Sequence, residues 1–145
     1  MPSRIALFAL LLLISTHLLA QDREYIVASP QRNLPFSNGV LVGDTLYIAG
    51  HLGLDPQSGK PPSDAAAEAR LVMDAVKKTV EDGGMTMDDI VMVQVYCPDL
   101  SLYGTFNKIY RTYFKNAFPA RAFIGSGKLL RDARFEVLGI AVKSK

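Results

Sequence analysis

Residues 39–50 are Gly-Val-Leu-Val-Gly-Asp-Thr-Leu-Tyr-Ile-Ala-Gly, written GVLVGDTLYIAG. Two apolar, β-branched runs, Val40 to Val42 and Thr45 to Ala49, flank Gly43-Asp44. Glycine adopts positive φ without a Cβ penalty, so this pair suits a two-residue turn and the stretch predicts a β-hairpin. The next residues, Leu54 to Pro62, contain Pro56 and Gly59 in turn positions and predict a surface loop.

From Ser63 the periodicity changes from two to three and four. Ala65, Ala69, Val72, Met73, Val76 and Val80 share one face of an amphipathic helix. Ser63 or Asp64 can accept hydrogen bonds from its first free amides, and Gly83-Gly84 can end it. DIVMVQVYC, ending at Cys97, is apolar on nearly every residue and predicts a strand covered on both faces. A second helix carries Leu102, Tyr103, Phe106, Ile109, Tyr110, Tyr113 and Phe114 at helical spacing and is limited by Pro119. Strands over Ala120 to Gly125 and Arg134 to Val142 complete an order β-β-β-α-β-α-β-β. Two helices cover only one face of a mixed sheet. The other face needs a partner, and Val91, Val93 and Val95, or their alternating neighbours, are candidates to meet it.

The chain has 145 residues, 49% hydrophobic and 21% charged, which suits one globular domain. Its first residues, MPSRIALFALLLLISTHLLA, place Arg4 ahead of an apolar run of about 16 residues, shorter than the roughly 20 of a spanning helix. They predict a signal peptide over Met1 to Ala20, cleaved before Gln21, and an exported domain, periplasmic or secreted, over Gln21 to Lys145. An uncleaved signal would leave a membrane anchor. The formal charge is +2, or +1 without Arg4, and no basic stripe suggests a nucleic-acid partner. Cys97 is the only cysteine, so an intrachain disulfide is excluded and the residue is expected as a small buried hydrophobe. Without the signal His51 is the only histidine, and one His with one Cys implies no metal; no cofactor is implied either.

PFSNGVLVGDTLYIAGHLGLDPQSGK, FNKIYRTYF, FPAR and FEVLGIAV, in this order and spacing, resemble the Rid (reactive intermediate deaminase, YjgF-like) family over nearly all of Pro35 to Val142. The resemblance implies an α+β, chorismate-mutase-like fold with a mixed six-stranded sheet and two helices on one face. It also implies a homotrimer with small-molecule sites between subunits, and hydrolysis of 2-imino acids or their enamines to 2-oxo acids and ammonia. On this resemblance Arg121, in the P-A-R motif, binds the substrate carboxylate. Its planar fork offers two parallel donors and stays charged when desolvated. The alternative for Arg121 is an ion pair with Glu136 or Asp132 inside the fold or trimer.

The chain also departs from the family pattern. Phe36 stands where deaminating members carry tyrosine, Ala49 where they carry serine, Ala122 where they carry a small polar residue, and Leu138 where a carboxylate holds the attacking water. A positioned general base is typically worth ~10²–10⁴-fold. Glu136, two residues before Leu138 and on the same strand face, is the surviving carboxylate, with a pair to Arg121 or Arg134 as its alternative. Asn107 matches the family's helix asparagine near the site. His51, where many members carry glutamine, can titrate near neutral pH and replace a lost donor, or be structural. Two functions remain open: a deaminase with an altered water-activating set, and a non-catalytic trimer that binds a small carboxylate or a protein.

Overall fold

The computed structural model describes residues 22–27 and 34–144. The expected signal peptide lies outside them. Gly43 takes φ +58°, and the turn pairs Val42 with Thr45, so the hairpin forms where the sequence places it. Its strands are β2 (Gly39–Val42) and β3 (Thr45–Leu52), the latter three residues longer than expected. A first strand, β1 (Arg23–Ile26), pairs antiparallel with β2.

Helix α1 (Ala65–Asp82) begins at Asp64, whose carboxylate accepts from the amides of Ala66 and Ala67 at 3.3 and 2.9 Å. Two of the four free donors of the first turn are satisfied in this way. Gly84, at φ +71°, turns the chain away after the helix. Strand β4 (Ile90–Cys97) follows, then a short helix α2 (Tyr103–Tyr110) with a 3₁₀ turn at each end, β5 (Ala120–Gly125) and β6 (Glu136–Val142). β6 starts two residues later than expected, because the Arg134 amide bonds to a side chain of α1 instead of a neighbouring strand.

The six strands run in the order β1-β2-β3-β6-β4-β5, with β4 and β5 parallel and every other pair antiparallel. This is the expected mixed sheet with two helices. Leu46, Ile48, Val93, Val95, Val137 and Ala141 project from its middle strands against Val72, Met73, Val76 and Val80 of α1 and Phe106 of α2, forming one core. Apart from Ala141, each of these buried side chains contributes roughly 1.5–3 kcal/mol.

The opposite face carries Tyr47, Ile140, Met92, Gln94 and Leu138, by register and alternation. Tyr47 is 52% exposed and Met92 36%. The alternating neighbours on β4 therefore hold the open face, while Val93 and Val95 are buried under the helices. A register shift between Ile90 and Met92 explains why Val91 and Met92 are both exposed: one extra residue bulges and alternation restarts.

Candidate functional site

Arg121 belongs to β5, the edge strand, in register with the buried Val93 and therefore on the helix-covered side. There it lies against α2. Its Cζ sits 4.5 Å from the centroid of Tyr110, 5.7 Å from Tyr103 and 5.8 Å from Phe123. A guanidinium within about 6 Å of an aromatic face is held electrostatically while its N–H edge stays free. The edge borders a cavity of about 190 Å³ that Asn107, Arg111, Phe118 and Pro119 also line. Arg121 and Asn107 are thus brought together as expected. The Tyr103 hydroxyl is held below its usual pKa, first by hydrogen bonding to Asn107 and then by the Arg121 charge.

The ion pairs weighed for Arg121 are absent among the described residues. Asp132 pairs with Lys128 at 2.6 Å, and Glu136 stands on the other face of the sheet. Glu136 does not pair with Arg134 either. That arginine bonds Glu68, at 2.5 Å from Nε to Oε2, and it donates to the carbonyls of Ser63 and Pro62. Glu68 is wholly buried and also accepts from the amides of Arg134 and Phe135. Sequence reasoning passed over it. The signal was a lone carboxylate on the apolar stripe, three residues after Ala65 and four before Val72.

The remaining expected residues gather elsewhere. Phe36 and His51 line a cleft of about 660 Å³ together with Leu34, Gly50, Leu54 and Leu130. Glu136 adjoins it through Gly50: a Cβ added at Gly50 would overlap the Glu136 carboxylate. Glu136 also shares a second recess with Leu130 and Arg131, which reach both. Leu138 lies on the same face as Glu136, as the period-two rule requires.

His51 departs from one expectation. Its Nε2 is 3.0 Å from the Thr79 hydroxyl, and burial lowers its pKa to about 4, so it remains neutral near neutral pH. Cys97 is buried, its Sγ donates to the Asp99 carbonyl, and desolvation raises its pKa, as suits a structural thiol. Tyr103, Tyr110 and Arg111 were missed as site residues because helical spacing marks the two tyrosines simply as core.

A mixed six-stranded sheet with two helices on one side and an apolar open side defines a chorismate-mutase-like α+β domain, with the half-buried Arg121 on its edge strand β5. The chain belongs to the endoribonuclease L-PSP family, the YjgF/RidA family, whose model matches residues 27–143. It is 37% identical over 111 residues to a RutC family protein of Saccharolobus solfataricus, covering 76% of this chain and 88% of the relative. It is 35% identical over 112 residues to the 2-iminobutanoate/2-iminopropanoate deaminase of Escherichia coli K12, covering 75% and 88%. The solved YjgF gene product of E. coli superposes with TM-score 0.77 at 32% identity, over 83% of this chain and 99% of that one. E. coli TdcF with bound serine does so with TM-score 0.76 at 29% identity, over 83% and 100%. Relatives of this chain thus include named imine deaminases, hydrolases acting on carbon–nitrogen bonds.

Proposed function

We propose that this chain deaminates 2-imino acids, or their enamine tautomers, in clefts formed between three copies of itself. The observation that carries the reading is the Arg121 fork, which borders an open cavity with no carboxylate among the residues that line it. A substrate carboxylate accepts two parallel hydrogen bonds there. The serine in the TdcF structure bears the same group. Water adds to the C=N carbon as Glu136 takes its proton and passes it to the nitrogen; the carbinolamine then gives up its hydroxyl proton to the same nitrogen by way of Glu136 and collapses to a 2-oxo acid and ammonia.

Within one chain Arg121 and Glu136 leave opposite faces of the sheet, so the reaction needs a second copy to bring a Glu136 to each Arg121. The exposed apolar open face supports that assembly. Near-neutral charge favours small acids over the nucleic acid that the family description evokes. The exported location and cleavage after Ala20 belong to the same reading, and N-terminal sequencing of the mature protein tests them.

The activity is tested by turnover of a 2-imino acid generated in situ. Arg121→Ala is expected to weaken carboxylate binding by about 1.5–3 kcal/mol, roughly 10–150-fold, with assembly retained. An Arg121→Ala protein that binds and turns over like wild type would overturn the reading. The second reading, a carboxylate-binding trimer without turnover, draws on Leu138, which leaves Glu136 as the only carboxylate of β6.

A further inference from the structure

The Arg121 recess holds a second cation. Arg111, in the 3₁₀ turn that continues α2, lines the same 190 Å³ cavity, and the residues lining it include no carboxylate. Neither guanidinium belongs to an ion pair among the described residues. The Arg111 Cζ lies 5.4 Å from the Phe118 centroid, and Phe118 stacks on Tyr110 at 6.2 Å, the ring against which Arg121 rests. Both arginines act on one point, since each helps to depress the Tyr103 hydroxyl pKa. Two like charges facing one recess repel each other, and an anion between them relieves the repulsion.

The Tyr110 side chain is 3% exposed, and its hydroxyl is the one buried side-chain polar atom without a hydrogen-bond partner among the described residues. Tyr110 borders the cavity through its ring, and its hydroxyl is enclosed in the protein beneath it. The volume falls below the roughly 300–1,000 Å³ typical of sites for drug-sized ligands, which restricts the occupant to a small metabolite.

We propose that this recess selects a small dianionic acid, with one carboxylate on Arg121 and a second on Arg111. Resting on the deaminase reading, it makes the substrates 2-imino acids with a short acidic side chain, in preference to those with an alkyl one.

The stable 2-oxo products allow the claim to be tested by calorimetry at fixed ionic strength, which holds screening constant. The wild-type protein is expected to bind oxaloacetate or 2-oxoglutarate at least about tenfold more tightly than 2-oxobutanoate. Arg111→Gln should lower the diacid-to-monoacid affinity ratio about tenfold, and Arg111→Lys should restore part of it, because the charge returns without the fork. Arg111 is exposed, and thermal melting verifies that the variants fold. Equal wild-type affinity for diacid and monoacid, or a full diacid preference in Arg111→Gln, overturns the proposal. Diacid preference in a protein that hydrolyses no imine sinks the deaminase reading alone, whereas turnover of alkyl imines without diacid preference sinks this inference alone.

Discussion

Arg121 and Glu136 leave opposite faces of the same sheet: Arg121 is in register with Val93 on the helix-covered side, and Glu136 with Tyr96 and Leu52 on the open side. No side-chain rotation brings them together in one copy. A cleft that uses both has to draw them from two chains.

This geometry makes a complementation experiment decisive. Arg121→Ala and Glu136→Gln proteins should each lose most of their activity at substrate concentrations below KM. Unfolded, mixed in equal amounts and refolded together, they should recover about a quarter of wild-type activity, since one cleft in four combines an intact Arg121 with an intact Glu136 from its neighbour. Refolded mixtures no more active than the parents would mean that each cleft takes both residues from one chain, whereas a parent as active as wild type would remove its residue from catalysis.

Gly50 is predicted to tolerate little. A Cβ there overlaps the Glu136 carboxylate, which is the mobile end of a side chain, so the fold yields by moving the carboxylate. Misplacing a catalytic group by about 1 Å can cost ~10²-fold. Gly50→Ala should therefore depress kcat far more than melting temperature, and unchanged kcat in a folded variant would show that Glu136 is a bystander.

Leu138 lies on the open face beside Gln94. Leu138→Glu should raise turnover if this is where a water-holding carboxylate is missing. The same change places a charge on an apolar face and should weaken assembly, so sedimentation has to accompany the rate measurement. A stable, assembled variant that is no faster favours the binding-only reading.

The Glu68 and Arg134 pair governs stability. Glu68 is wholly buried and serves two backbone amides besides the guanidinium. Breaking such a pair costs about 3–5 kcal/mol. Glu68→Ala should lower Tm by roughly 10 °C or more, measured by calorimetry. A loss of only a degree or two would mean that water or a neighbour takes over the orphaned donors.

His51 should give the stability curve an acidic shoulder. Its folded pKa of about 4 lies below the unfolded value of 6.5. Between these limits the unfolded chain binds the extra proton, so stability falls as pH drops from about 6.5 toward about 4. The contribution is on the order of 3 kcal/mol. Chemical denaturation across this range should show the slope in wild type and its loss in His51→Gln.

Local chemistry determined much of this molecule. The Gly43-Asp44 turn, the apolar stripe of α1, its Asp64 cap, and the β5 boundaries at Ala120 and Gly125 all rest on interactions between residues a few positions apart, which periodicity and turn preference encode directly. The choice of arginine at position 121, and the resemblance carried by its motif, were equally legible. What lay beyond the sequence joins residues far apart in the chain. Glu68 meets Arg134 across 66 positions, and His51 meets Thr79 across 28. The bulge before Met92 sets which side chains of β4 face outward, and the separation of Arg121 from Glu136 follows from strand order. Spacing along a chain specifies the face a residue takes within its own element. Only the packing of elements decides which faces meet, how much water each loses, and thus which charges are paired, neutral or left open to a ligand.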